Sequence, residues 1–98
     1  MSAYVVALTR FTDPSMLREC LDVAQPSVHR HGGRYLASSA DVTALEGQWP
    51  VGAHLGLIAF SDVAPANSWH ASAAHETAFV IRRITLERRL LIIEGGGV

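Results

Sequence analysis

The chain has 98 residues, of which 49% are hydrophobic and 17% charged, and its formal net charge is -1. This length corresponds to one domain with a single thin core, and the composition excludes intrinsic disorder. The near-neutral charge argues against a nucleic-acid partner, which requires clustered positive charge. No apolar run approaches the roughly 20 residues of a membrane helix, and the first residues lack the pattern of a signal peptide. We therefore expect a cytoplasmic protein with no membrane partner.

Four segments have the residue pattern of β-strands. They are Ala3–Phe11, Arg34–Glu46, His54–Phe60 and Arg88–Glu94. The first and third are apolar on both faces, which is typical of central strands that are covered on both sides. The second is more polar in its middle, at Ser38-Ser39-Ala40-Asp41. That polarity indicates an edge strand with a bend or a bulge.

A first helix is predicted after the first strand, with an apolar stripe at helical spacing. Asp13 suits its N-cap and Pro14 its first position. Pro26 lies inside it and cannot donate to the preceding turn, so we expect a kink or a break there. Gly32-Gly33 provides the backbone freedom of a left-handed helix end.

A second helix is predicted after the third strand, capped by Ser61-Asp62. Ser72 is a candidate cap for a further helical segment that contains Phe79, Val80 and Ile81. The element order is then strand, helix, strand, strand, helix, strand. This order predicts an α+β fold, the ferredoxin-like βαββαβ unit with a four-stranded antiparallel sheet. We expect one domain over residues 1–95 and a flexible glycine-rich tail over 96–98.

Two helices cover only one face of such a sheet. The other face of the central strands would carry either the set Tyr4, Val6 and Leu8 or the set Val5, Ala7 and Phe11. An exposed apolar patch of more than a few hundred Å² usually marks an interface. The sequence therefore predicts a homodimer whose two sheets face each other.

Several segments resemble the domain of unknown function 1330 family over nearly the whole chain. They are Tyr4-Val5-Val6, His31-Gly32-Gly33-Arg34-Tyr35-Leu36, Leu45-Glu46-Gly47-Gln48-Trp49-Pro50 and Leu90-Leu91-Ile92-Ile93-Glu94-Gly95. The resemblance implies a subunit of the dimeric α+β barrel group, with sheet-to-sheet pairing and a pocket between the sheet and the helices. That group includes cofactor-free monooxygenases, lactone isomerases and haem-binding proteins. The resemblance implies no particular activity.

The chain departs from the family pattern at positions that bear on function. Ala59 stands where the family usually has an acidic residue before the phenylalanine that ends the third strand. In the second helical region the family usually has a run that contains tyrosines, and here that run is Trp69-His70-Ala71-Ser72-Ala73-Ala74-His75-Glu76. His54 is the nearest match to the basic residue that usually opens the third strand. These departures put the family site in doubt.

The glycine turn between His31 and Arg34 is the first candidate site. One interpretation is that Arg34 pairs with a carboxylate ligand while His31 acts as a general base. The other is that His31 caps the helix and Arg34 is solvated. His70 is a second candidate for the base.

Aromatic residues and His54 complete the candidate ligand-binding set. Trp69 lies on an apolar helical stripe and is more typical of a core, whereas Trp49 in a loop could cover a pocket or contact a partner subunit. The Arg82-Arg83 and Arg88-Arg89 doublets are balanced by acidic residues and predict a solvated face, with an anion-binding mouth as the alternative. Cys20 is more typical of a small buried hydrophobe than of a nucleophile. No histidine pair has metal-ligand spacing, so neither a metal nor a bound cofactor is expected.

These observations predict a small homodimeric α+β-barrel protein that binds or transforms a small carboxylated or aromatic molecule without a bound cofactor. A non-catalytic dimerisation or ligand-sensing module is the alternative. A haem-binding member, with His54 or His70 as axial ligand, is a further one. The sequence leaves open whether the protein is an enzyme.

Overall fold

The computed structural model describes residues 2–39, 41–49, 52–76 and 82–95, without the side chains of 14 and 73–76. Its strands are β1 (Ser2–Phe11), β2 (Arg34–Ser39), β3 (Ala53–Phe60) and β4 (Thr85–Gly95). Its helices are α1 (Leu17–Arg30) and α2 (Val63–Glu76), and a short 3-10 turn, Pro14–Met16, precedes α1. The predicted tail and the Phe79–Ile81 segment lie outside the described residues.

The strands form one sheet in the order β2-β3-β1-β4, with all neighbours antiparallel. The predicted α+β ferredoxin-like fold is therefore confirmed, including the central positions of the first and third strands and the edge position of the second. Directly paired residues of antiparallel strands point to the same side of a sheet. The register therefore fixes which side chains share each face.

The first helix begins as the sequence predicts. The Asp13 carboxylate accepts hydrogen bonds from the Ser15 amide and hydroxyl, each at 2.9 Å. The helix ends at Arg30, and Gly32, two residues later, has a φ of +79° in the left-handed region. Gly33 is required for packing, because a Cβ there would lie 2.5 Å from the buried Phe60 ring. Of the kink or break predicted at Pro26, the break does not occur, since α1 continues through it to Arg30.

Two further predictions of element bounds are wrong. The second strand ends at Ser39 rather than Glu46, and its bulge lies between Tyr35 and Ala37. Just beyond the strand, the Asp41 amide donates to the Ser39 hydroxyl at 2.9 Å. Ser72 starts no new helix, because it lies inside the continuous α2.

The core lies between the helices and one face of the sheet. Its buried residues are Val5, Val28, Ile58, Phe60, Ala66 and Trp69. The opposite face, which we call the open face, carries Tyr4, Val6 and Leu8 of β1. The β4 neighbours of Tyr4 and Val6 are apolar and exposed, with Ile93 at 55% and Leu91 at 62%, whereas Leu8 is paired with Arg89. The structure thus selects one of the two apolar sets that the sequence offered as the uncovered side.

Candidate functional site

A cavity of about 40 Å³ lies between α1 and the helix-facing side of the sheet; we call it the α1 cavity. Its cause is the small size of the residues on the two central strands. Ala7 of β1 is paired with Gly56 of β3 at its floor. The α1 residues that roof it recur at helical spacing and are Leu17, Cys20, Leu21 and Ala24. With so little side-chain volume on the floor, the sheet and the helix leave space for a few water molecules.

Polar side chains reach the α1 cavity from both outer strands. Arg88 of β4 is paired with Thr9 of β1, which is in turn paired with His54 of β3, so the three form one row across the sheet. Tyr35 reaches the cavity from β2, at the opposite edge. The cavity is therefore lined by a guanidinium and an imidazole from one row of the sheet and by a phenol from another row, that of Ile58 and Val5.

The charge state of these groups is set mainly by burial. Burial raises the pKa of Tyr35 to about 12, with the Cys20 thiol adding to the increase and Arg88 opposing it. Burial also raises the pKa of the Cys20 thiol. The Tyr35 and Cys20 groups are therefore neutral near pH 7. Burial lowers the pKa of Arg88, but an arginine keeps its charge at any physiological pH.

Arg88 has no anionic partner in the described part of the chain. Its neighbour in sequence, Arg89, lies on the open face, where its Nη2 is 2.6 Å from Oε2 of Glu87. The Arg10 guanidinium also reaches Glu87, at 3.7 Å. The Glu87 carboxylate is therefore shared by Arg89 and Arg10 on the open face and does not pair with Arg88. The α1 cavity is left with a positive charge that no described carboxylate compensates.

His54 is buried, with 7% of its surface exposed, and packs edge-on to the Phe11 ring at 4.9 Å between centroids. Its Nδ1 has no hydrogen-bond partner among the described residues, and neither has Nε1 of the buried Trp69. Burial lowers the pKa of His54 below its ordinary value of 6.5, so the ring is neutral near pH 7. Both rings line the α1 cavity, where a ligand or ordered water can supply the missing partners.

The buried imidazole gives a prediction on acid stability. Below about pH 6.5 the unfolded chain binds a proton at His54 that the folded protein resists, so the free energy of unfolding falls as pH is lowered through this range. Above that pH both states are neutral and the effect vanishes. We expect His54→Phe to lose less stability between pH 7 and pH 5 than the natural protein, as measured by urea unfolding at both pH values. An identical loss in the two proteins would contradict this assignment.

The other sequence-predicted residues lie away from the α1 cavity. His31 is at the C-terminal end of α1, where its Nδ1 is 2.9 Å from the Ser27 carbonyl oxygen. Arg34 is exposed and paired with Ala59, beside a separate depression that Tyr4 and Gly32 also line. The glycine turn therefore does not bring His31 and Arg34 to one cavity.

Trp49, His70 and Trp69 occupy three different environments. Trp49 is half-buried, and its Nε1 has no partner in the ranges that the structure describes. His70 is exposed on α2. Trp69 packs on Phe60 at 5.7 Å between ring centroids, so it is a core residue as expected, yet it also lines the cavity.

The sequence did not single out Tyr35 or Cys20 as members of the site, and it offered Arg88 only within a doublet whose alternative role was an anion-binding mouth. The alternation of β4 places Arg88 with Leu90 and Ile92, but which face they occupy depends on the register with β1. A detectable signal was the presence of two small residues, Ala7 and Gly56, in the middle of the central strands. Within the described residues, no three His, Cys, Asp or Glu side chains are grouped so that they could hold a metal ion. No helix there is long and apolar enough to cross a membrane.

The fold and its site define a ferredoxin-like α+β protein with a cavity under its first helix. Residues 2–96 match the model of the family described as Domain of unknown function (DUF1330), and the chain belongs to that family. No curated protein is significantly similar to it.

Solved structures share the fold at low sequence identity. A protein of unknown function from Rhodopseudomonas palustris, RPA0582, has a TM-score of 0.70 at 15% identity, over 99% of this chain and 84% of its own. A NIPSNAP domain protein from Burkholderia xenovorans has a TM-score of 0.64 at 14% identity, over 97% and 95%. A NIPSNAP family protein from Agrobacterium tumefaciens also has a TM-score of 0.64, at 10% identity, over 99% and 95%. At these identities the likeness establishes the fold alone.

Proposed function

We propose that the protein binds a small organic monocarboxylate in the α1 cavity, with Arg88 as the anchor for the carboxylate. The observation that carries this proposal is the positive charge of Arg88 beside two neutral groups, Tyr35 and Cys20. Arg88 is exposed at the edge of the cavity and has no carboxylate partner among the described residues, so its guanidinium is available for a charge-assisted hydrogen bond to a bound carboxylate. The Tyr35 hydroxyl adds a neutral donor, which an anion needs as well.

The dimensions of the cavity favour a carboxylate over an aromatic group. A volume of about 40 Å³ accepts a carboxylate and an adjoining carbon, whereas cavities that hold benzene are near 150 Å³. The small volume of the cavity also disfavours haem binding at His54, because a porphyrin is far larger than the space beside the His54 ring. We therefore narrow the ligand class from carboxylated or aromatic molecules to carboxylates.

Binding has more support than catalysis. The candidate bases His31 and His70 lie outside the α1 cavity, and the histidine that lines it, His54, is buried beside Phe11. A general base must come within hydrogen-bond reach of the proton it removes. Proton transfer by His31 or His70 stays a prediction from the sequence, and the function we propose does not require it.

The proposal includes a homodimer formed through the open face. The central row of that face, Leu57–Val6–Leu91, is apolar across three strands. Eight paired positions at about 3.4 Å and four strands about 4.8 Å apart give a face on the order of 500 Å². Two such faces reach the roughly 1,000 Å² that a specific interface needs. A second copy fits because it presents the same apolar row.

The α1 cavity and the open face lie on opposite sides of the sheet. Ligand binding and dimerisation can therefore be tested with separate variants. A protein that dimerises but binds no carboxylate would match the alternative of a non-catalytic dimerisation module.

The test is calorimetric titration with butyrate and, in parallel, with butyramide. The two have similar shapes, but only butyrate carries the charge that Arg88 would hold. We expect butyrate to bind at least tenfold more tightly than butyramide. Equal affinities, or no binding of butyrate at millimolar concentration, would overturn the proposed function.

A further inference from the structure

We infer that the ligand of this protein is an amphipathic carboxylate, with an apolar tail that lies in a groove between β4 and α2. This inference rests on the proposed carboxylate site and adds the chemical class of the rest of the ligand. The α1 cavity has space for the charged head only. The rest of the ligand, attached to that carboxylate, must therefore extend out of the α1 cavity.

The groove adjoins the α1 cavity. Its volume is about 290 Å³, and Trp69 and Leu90 line both spaces. The other lining residues are Val5, Ile92 and, from α2, His70. Apart from His70 the lining residues are hydrophobic or aromatic, so the groove is suited to a hydrocarbon chain and offers little to a polar one.

The register of β4 sets the direction of the tail. Arg88, Leu90 and Ile92 alternate on the helix-facing side of this strand, opposite Thr9, Ala7 and Val5. From Arg88 to Ile92 the strand advances about 13 Å. A ligand with its carboxylate at Arg88 can therefore extend past Leu90 and reach Ile92.

The exposure of Ile92 shows which part of the groove is not covered by other side chains. It lies on the side of the sheet that the helices cover, yet 41% of its surface is exposed, whereas its partner Val5 is 1% exposed. A tail that covers Ile92 would remove this apolar surface from water. The groove is on the opposite side of the sheet from the open face, so a second copy docked on the open face would leave it uncovered.

The experiment is a calorimetric series with acetate, butyrate, hexanoate and octanoate, each kept below its micelle concentration. Each added methylene that becomes buried should tighten binding by up to about fourfold, from about 0.8 kcal/mol per group. Affinity that rises with chain length supports the inference. Binding of all four acids with equal affinity overturns the inference but leaves the proposed function standing. Failure of every acid to bind overturns both.

A pair of variants locates the tail. Ile92→Ser should weaken octanoate binding about tenfold more than butyrate binding, because only the longer acid reaches Ile92. Leu86→Ser is the matched control. Leu86 lies on the same strand, two residues before Arg88, is 66% exposed and lines neither the α1 cavity nor the groove. It should leave both affinities unchanged. Equal losses for octanoate and butyrate in Ile92→Ser would overturn the placement, provided that circular dichroism shows both variants folded.

Discussion

Replacing Arg88 with methionine is expected to weaken butyrate binding by about tenfold to a hundredfold, because hydrogen bonds to charged groups contribute roughly 1.5–3 kcal/mol. The same change should leave the free energy of unfolding equal or higher. Arg88 is exposed and has no carboxylate partner among the residues described, so removing its charge breaks no ion pair and leaves no buried anion behind. Calorimetry and urea unfolding measure the two effects.

Arg89→Met is the matched control for this variant. Arg89 is adjacent in sequence but points to the open face, where it pairs with Glu87. Its loss should leave butyrate affinity within about twofold, since exposed ion pairs contribute little and lie far from the cavity. If Arg88→Met and Arg89→Met weaken binding equally, the carboxylate is held by general surface charge and the assignment of Arg88 is wrong.

A glutamate in place of Leu91 is expected to convert the dimer to a monomer. Leu91 ends the apolar row of the open face and is 62% exposed in the single subunit, so the charge is solvated there. In a sheet-to-sheet dimer the carboxylate would be buried without a partner, at a cost of about 3 kcal/mol or more. Dimer affinity should fall at least a hundredfold, as measured by sedimentation velocity over a micromolar concentration series.

Leu86→Glu is the control for this charge, because Leu86 is similarly exposed on the same strand but lies at the register irregularity, outside the apolar row and without a partner on β1. It should leave the dimer intact. A natural protein that sediments as a monomer at tens of micromolar would contradict the proposed assembly. Equal dissociation by both variants would show that the open face is not the contact surface.

Much of the fold follows from local sequence patterns. Alternation of apolar residues defines the central strands, and Asp13 and Gly32 define the two ends of the first helical region. The alternation of apolar and polar residues and the helix-capping residues are local signals, so they can be recognised in a single sequence without knowledge of the tertiary contacts. The edge position of the second strand follows from its polarity in the same way.

The errors arise where tertiary contacts override local signals. Pro26 removes one backbone hydrogen bond, yet α1 continues because its neighbours Ala24, Ser27 and Val28 are buried. The second strand stops at Ser39 because the pairing with β3 ends at Leu55. Polar side chains then bond to local backbone, a choice that the composition of the segment does not reveal.

The candidate site could be predicted only in part. His54 and Trp69 were identified from their residue types, and both line the α1 cavity. Arg88 was not, because its neighbour Arg89 carries the same charge and only the β1–β4 register separates the two faces. Tyr35 and Arg88 come from the two outer strands of the sheet and line the same cavity, an arrangement that no spacing along the chain encodes.

The decisive measurement is a crystal structure of the protein grown with butyrate. We expect density for a carboxylate in the α1 cavity, with its oxygens within about 3.2 Å of the Arg88 guanidinium and of the Tyr35 hydroxyl. Butyrate bound at Arg34 beside the glycine turn, with the α1 cavity holding only water, would contradict it.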